Sequence, residues 1–195
     1  MERARVRELH NIAHVENAPS ILNHGILCHQ RAARLQHRSV ADEDVQARRA
    51  ATRVPGGLPL HRYACLYVDA RNAMLYRLLG TAPLTVLAID PEVLDLPGVI
   101  VSDRNAASGT ARFRPAVAGI ATLDEGEVYA EWWNDSRDAR QKRCAEVLVP
   151  ERIDPIMIRH AYVPDNEAAR DLQRIVGREV LEIRVNAYLF FGGRP

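Results

Sequence analysis

A chain of 195 residues with 47% hydrophobic and 26% charged side chains has the make-up of one globular domain, long enough to bury a core without staples. A net charge of +1 excludes a general polycation, and three cysteines (Cys28, Cys65, Cys144) with no Cys-x-x-Cys exclude a disulfide framework and point to a reducing compartment. No apolar run approaches the ~20 residues of a membrane span, and Met-Glu-Arg-Ala-Arg-Val-Arg leads into no apolar segment, so a cytoplasmic protein without a membrane partner is expected.

Residues 8–14 read as a short strand. Asn17 is the expected N-cap of a helix over 18–24, with Pro19 in its first turn, Ile21 and Leu22 toward the core, and Gly25 as its stop. Residues 26–40 read as irregular and basic. A second helix is expected over 42–51, carrying Arg48 and Arg49, and Val54-Pro55-Gly56-Gly57 is a loop by composition. A buried strand over 63–68, a helix over 71–79 ended by Gly80, and a strand over 84–89 stopped by Asp90-Pro91 follow. Then come a short strand over 99–101, a polar loop over 102–108, a helix over 124–133 and a polar loop over 134–142. The stretch 146–149 reads as a strand, and 156–163 alternates as another. Residues 166–176 place Ala169, Leu172, Ile175 and Val176 at helical spacing. Strands over 179–185 and 188–191 close the chain. The pattern is α+β, with no repeat and no linker: a single domain over 1–195.

Several chemistries lack their motifs. There is no phosphate-cradling Gly-x-x-x-x-Gly-Lys-[Ser/Thr], no Gly-x-Gly-x-x-Gly after a strand and no Gly-x-Ser-x-Gly elbow. His10 and His14 are four apart but strand-borne and without a following Glu, and His24, Cys28 and His29 lack a fourth ligand, so no metal site is expected. The stretch with chemical content is Arg140-Gln-Lys-Arg-Cys-Ala-Glu-Val-Leu-Val149. Glu146 stands where a basic loop becomes a buried strand, a rigid place for a catalytic acid. The competing reading is a strand Glu in a salt bridge. The basic clusters 31–38, 48–53 and 137–143 permit an anionic partner or are solvated faces.

Six pieces, in order, are similar to a known family: Ala13-His-Val-Glu-Asn-Ala-Pro-Ser-Ile-Leu22, Val45-Gln-Ala-Arg-Arg49, Leu60-His-Arg-Tyr63, Ala70-Arg-Asn-Ala-Met-Leu-Tyr76, Ser102-Asp-Arg-Asn-Ala-Ala107 and Arg143-Cys-Ala-Glu-Val-Leu-Val149. Together they span nearly the whole chain, which resembles DarT, the nucleic-acid ADP-ribosyltransferase toxins of bacterial toxin–antitoxin systems. The resemblance implies an ADP-ribosyltransferase-like split β-sheet with peripheral helices. It also implies NAD as co-substrate and transfer of ADP-ribose to a base of single-stranded DNA with release of nicotinamide. A DarG-type macrodomain antitoxin is the implied partner, and a monomer is expected.

Residue by residue, the resemblance makes Glu146 the acid that stabilises a cationic, oxocarbenium-like transition state and deprotonates the acceptor. Arg49, with Arg48 beside it, matches the family's arginine pair, wanted for the NAD phosphates or for orienting the acceptor base; Arg49 belongs to the catalytic set and Arg48 to the expected NAD contacts. Asn11, His14, Asn17, Arg71 and Tyr76 are expected NAD contacts. Trp133, Arg140, Lys142, Arg143 and Cys144 are expected to hold the acceptor strand, aromatics stacking on bases and cations tracking phosphates. Trp132 is the companion aromatic. Two departures stand out. Many family members carry His-x-Thr-His where this chain has Asn11-Ile12-Ala13-His14, and the position often held by Gln is Cys144. The target base is therefore open between thymine and guanine. The alternatives are an ADP-ribosyltransferase acting on RNA or protein, and a non-catalytic nucleic-acid-binding domain of the same fold.

Overall fold

Capping and alternation explain the elements that carry the site. The structure, a computed structural model, describes residues 1–133, 135–177 and 179–192. β1 (Leu9–His14) leads through a 3-10 turn into α1 (Ala18–His24), with Pro19 in its first turn and Ile21 and Leu22 packed on the core. Gly25 then turns the chain into β2 (Ile26–Leu27) with φ +81, and a Cβ there would lie 2.0 Å from the Ile153 carbonyl oxygen. Only glycine fits. β2 pairs with β8 (Arg152–Ile153) as a small separate ribbon. The basic stretch expected to be irregular thus holds β2 and also α2 (His29–Ala32). Asp42 caps α3 (Glu43–Ala51), accepting from the Val45 N–H at 2.8 Å. β3 (Tyr63–Tyr67) is followed by α4 (Ala73–Leu78), capped by Asn72.

β4 (Leu84–Ile89) is buried along its whole length, and β5 (Ile100–Ser102) is short, as expected. β6 (Phe113–Pro115) and α5 (Ala116–Ala121) have no counterpart among the expected elements; Ala116 and Ile120, four apart, bury α5 against the core. The expected helix over 124–133 shrinks to α6 (Glu125–Val128). Glu-Gly-Glu is a weak helix former, and the Val128 carbonyl, which the next turn would need, accepts from the Arg143 guanidinium instead. The expected loop over 134–142 contains α7 (Arg137–Lys142), capped by Ser136 and braced by an Asp138–Lys142 pair one turn apart at 3.1 Å; Asn134 lies outside the described residues.

β7 (Glu146–Pro150) follows the apolar run, β9 (Ile158–Val163) the alternation and α8 (Asn166–Val176) the helical spacing. The last strand is only β10 (Ile183–Val185), because Glu179 has φ 64. Residues 188–191 form a turn rather than a strand: Phe191 has φ 64 and the Gly192 N–H bonds the Ala187 carbonyl at 2.8 Å.

Among the described residues the large sheet runs β10-β9-β4-β1-β3-β7-β5-β6. All pairings are antiparallel except β9–β10. β1 pairs with β4 along all six of its residues but with β3 at one position, His10 opposite Tyr67. The sheet is therefore two four-strand halves that part beyond a single pair, the split arrangement expected. One face of β3 and β7 (Ala64, Leu66, Val68, Val147, Val149) joins the main core. On the other face, Tyr67 packs with Ile12 and Cys144, and Tyr63 with Leu148. The architecture is α+β, and among the described residues no helix is long and apolar enough to cross a membrane. Gly25→Ala places a side chain in a glycine-only conformation, so the unfolding free energy in urea should fall by about 1–3 kcal/mol from the backbone alone, with more lost to the Ile153 contact.

Candidate active site

Glu146 is the first residue of β7, opposite Tyr67 of β3 and Ser102 of β5. Alternation turns its side chain to the face where the half-sheets part. It is 0% exposed. A buried carboxylate must be compensated by charge and hydrogen bonds or the fold rejects it. Three donors meet it. Arg49 Nη1 donates to Oε2 at 2.8 Å, Cys65 Sγ donates to the same oxygen at 2.9 Å, and the Ala106 N–H donates to Oε1 at 3.1 Å. Arg49 is itself only 7% exposed.

Helical arithmetic delivers Arg49. Asp42, Val45, Gln46 and Arg49 lie along one side of α3, and all line a cleft of about 1040 Å³ with Glu146 in its floor. That volume lies at the upper end of ligand sites, about 300–1,000 Å³. β1 supplies Asn11 to the wall, and its Nδ2 donates across the split to the Cys65 carbonyl at 3.2 Å. α7 supplies Arg137, Arg140 and Gln141. The loop carrying Ala106 is tied to α7: the Asn105 N–H bonds the Gln141 carbonyl at 3.0 Å, and Arg104 Nη1 bonds Asp138 at 2.6 Å.

The site's titrations follow from burial. Burial opposes the charge on Arg49, but Glu146 and then Cys65 hold the guanidinium above its ordinary range. Burial pushes the Cys65 thiol well up, Glu146 adds to this and Arg49 pulls against it. Tyr67 is raised by burial, then by Cys65 and Glu146. Burial pushes Cys144 up to about 11. His29 and His61 stack with ring centroids 4.1 Å apart. Burial lowers both, helped by His37 for the first and His29 for the second.

Of the residues singled out in the sequence, Asn11, Asn17, Arg48, Arg49, Arg140, Cys144 and Glu146 line the cleft. Asn17 stands at the N-cap position but does not cap. It exchanges two hydrogen bonds with the Arg38 backbone, at 2.7 and 2.8 Å, and so fastens the segment over the cleft. The other residues lie off the cleft. His14 Nδ1 accepts from the Glu16 N–H. The Arg71 guanidinium lies over the Tyr188 and Phe191 rings, 4.4 and 4.5 Å from their centroids, and Nε donates to the Tyr188 carbonyl. Tyr76 and Trp133 meet Phe191 and each other edge-on; Tyr76 is exposed and Trp133 is buried. Trp132, next to it in the chain, is 80% exposed. Lys142 pairs with Glu127 and Asp138. Arg143, 2% exposed, pairs with Asp69 at 2.8 Å. Arg71, Lys142, Arg143 and Trp133 are thus taken up by the scaffold, while Tyr76 and Trp132 stay exposed.

Sequence reasoning missed Cys65, Gln46, Arg38, Arg77 and Ala106. Cys65 was findable: in Tyr63-Ala-Cys-Leu-Tyr67 alternation sets it on the face of the two tyrosines. Ala106 acts through its backbone and gives no side-chain signal.

A split antiparallel sheet with a buried arginine–glutamate pair in a cleft at the split defines a domain of the ADP-ribosyltransferase fold class. Residues 10–191 match the family model described as "ssDNA thymidine ADP-ribosyltransferase, DarT", and the chain belongs to that family. A DNA ADP-ribosyl transferase–DNA ADP-ribosyl glycohydrolase fusion protein of Thermosipho africanus is 31% identical over 198 residues, covering 96% of this chain and 50% of the relative. A DNA ADP-ribosyl transferase of Thermus sp. is 30% identical over 188 residues, covering 90% and 86%. Among solved structures, Thermosipho africanus DarTG in complex with ADP-ribose superposes with a TM-score of 0.85 at 29% identity, covering 95% of this chain and 51% of that one. Thermus sp. 2.9 DarT in complex with ADP-ribosylated ssDNA gives 0.83 at 25% identity, covering 93% and 95%. The chain thus spans about half the length of the fusion relative.

Arg49→Met leaves Glu146 buried without its cation, and the unfolding free energy in urea should drop by about 3–5 kcal/mol. Alkali provides a second test. The Cys144 thiol keeps its proton to about 11 when folded, against an ordinary value of 9.0. The folded state therefore holds more protons between those values, so the stability is whole below pH 9 and declines as pH rises toward 11. Cys144→Ala should flatten that decline in urea midpoints measured across the same window.

Proposed function

We propose that this chain, a single domain over 1–195, moves ADP-ribose from NAD onto a base of single-stranded DNA, releasing nicotinamide, and that the base is thymine. The observation that carries the reading is the fully buried Glu146 carboxylate, held by Arg49, Cys65 and the Ala106 N–H in the floor of a cleft large enough for a dinucleotide. The family description and the relatives named above support the choice of substrate and acceptor.

The fit to NAD rests on the donor set. Asn11, Asn17 and Gln46 offer amides to sugar and carboxamide groups, and Arg48 at the rim offers a fork to phosphate. Arg38 and Arg77 also reach the cleft. NAD, when bound, supplies a ribose carbon that becomes positively charged as its bond to nicotinamide breaks. Glu146 is fixed before the reaction, so its negative charge stabilises that developing positive charge without reorganisation. The carboxylate is also placed to accept the proton that the acceptor base gives up as its bond to the ribose carbon forms. Arg49 keeps the carboxylate in one orientation, and the loop bearing Ala106 closes its second oxygen. Arg137 and Arg140 line the cleft on the side of α7 and are the cations for the strand's phosphates, with exposed Trp132 a stacking surface for a flanking base. Cys144 lines the same wall.

A cytoplasmic location fits the three free thiols. A DarG-type macrodomain that removes the modification is the proposed partner, supported by the relative that carries transferase and glycohydrolase in one chain. The protein is proposed to act as a monomer.

Labelled NAD incubated with the protein and, separately, single-stranded DNA, duplex DNA, RNA or protein should label single-stranded DNA alone, and oligonucleotides lacking thymine should stay unlabelled. Label on RNA or on protein would replace the acceptor assigned here. Glu146→Gln should cut the transfer rate by about 100-fold or more while NAD still binds, as read by calorimetry.

A further inference from the structure

The transfer reaction as derived uses Glu146 and Arg49 but leaves a third side chain in contact with the carboxylate without a role. Cys65 belongs to β3, where it lies opposite Leu148 of β7, two positions along from the Tyr67–Glu146 pair. Strand pairing therefore fixes its distance from Glu146, whereas Arg49 comes from a helix outside the sheet. The thiol donates to Oε2 at 2.9 Å, the oxygen that Arg49 also holds. The main chain of the same residue works in the opposite direction: its carbonyl accepts from Asn11 Nδ2 of β1 at 3.2 Å. That bond spans the gap just beyond His10 opposite Tyr67, the single pair joining the half-sheets. Asn11, Cys65, Glu146 and Arg49 thus form one continuous polar chain from β1 across the split to α3.

We infer that Cys65 is a positioning residue for the transfer reaction: its thiol fixes the Glu146 carboxylate while its carbonyl, held by Asn11, fixes the mouth of the split around it. The inference rests on the transferase reading given above. A nucleophilic role does not fit. Burial and the neighbouring carboxylate keep the proton on sulfur, and the thiol, not the thiolate, is the form that can donate to Glu146. A thiol is a weak donor to a neutral acceptor, but a hydrogen bond to a charged group is worth more than a neutral one. The consequence reaches the carboxylate directly. With Cys65 in place, Oε2 has a donor set by strand pairing beside the guanidinium that comes from α3.

The experiment compares wild type, Cys65→Ala and Cys65→Ser. Transfer to single-stranded DNA in the Cys65→Ala protein should show kcat reduced on the order of 10-fold to 100-fold, with little change in KM for NAD. Cys65→Ser keeps a donor at the same position and should restore most of the rate. A Cys65→Ser protein as slow as Cys65→Ala, or a loss confined to KM, would overturn the inference. A second measurement is independent of turnover: urea midpoints for Cys65→Ala in the wild-type and Glu146→Gln backgrounds. The shift caused by Cys65→Ala should be clearly larger when Glu146 is present. Equal shifts would show that thiol and carboxylate are uncoupled and would also overturn it. Absence of transfer by the wild type would defeat the transferase reading, and the urea comparison would then decide the thiol's role alone.

Discussion

A carboxylate with no exposed surface is the constraint from which the rest of this structure follows. Removing Glu146 from water is tolerable only if opposite charge and hydrogen bonds are supplied from within. Arg49, the Cys65 thiol and the Ala106 N–H meet that demand from a helix, a strand and a loop. Each supplier is itself fixed. α3 is capped by Asp42, which also pairs with Arg77 of α4. The loop is tied to α7, and β3 is in register with β7. The acid is held in a single orientation.

The split of the sheet provides the room. If β1 paired with β3 along its length, the residues facing the cleft would close over one another. Pairing at His10 and Tyr67 alone lets the halves diverge while keeping them in one sheet. Asn11 bridges the opening and Asn17 fastens the Arg38 segment above it. The Asn11 amide gives that position a hydrogen-bonding group that does not titrate.

The cations of the C-terminal half divide by direction rather than by position in the chain. Arg140 and Arg143 are three residues apart, yet the first lines the cleft and the second is buried against Asp69 and the Val128 carbonyl. Arg71 is likewise drawn into a sandwich with Tyr188 and Phe191. A run of basic residues before a buried acid therefore overstates the number that face the cleft. The scaffold needs some of them to balance its own acids and carbonyls.

What the chain alone determined are features with local causes. Apolar runs set the strands over 63–67, 84–89 and 146–150, alternation set the one over 158–163, helical spacing with Gly177 set α8, and Pro19 and Gly25 bounded α1. Ordered family-like pieces pointed to Glu146 and Arg49. Tertiary structure alone decided where α6 ends, because its last carbonyl is claimed by Arg143 from fifteen residues away. It also decided which of the basic and aromatic residues face the cleft, and it brought Cys65 and the Ala106 N–H to the carboxylate from 81 and 40 residues away. The physical reason is the same in each case. Propensity and periodicity act over a few residues, whereas satisfying a buried charge recruits whatever donors the folded chain brings within hydrogen-bonding distance.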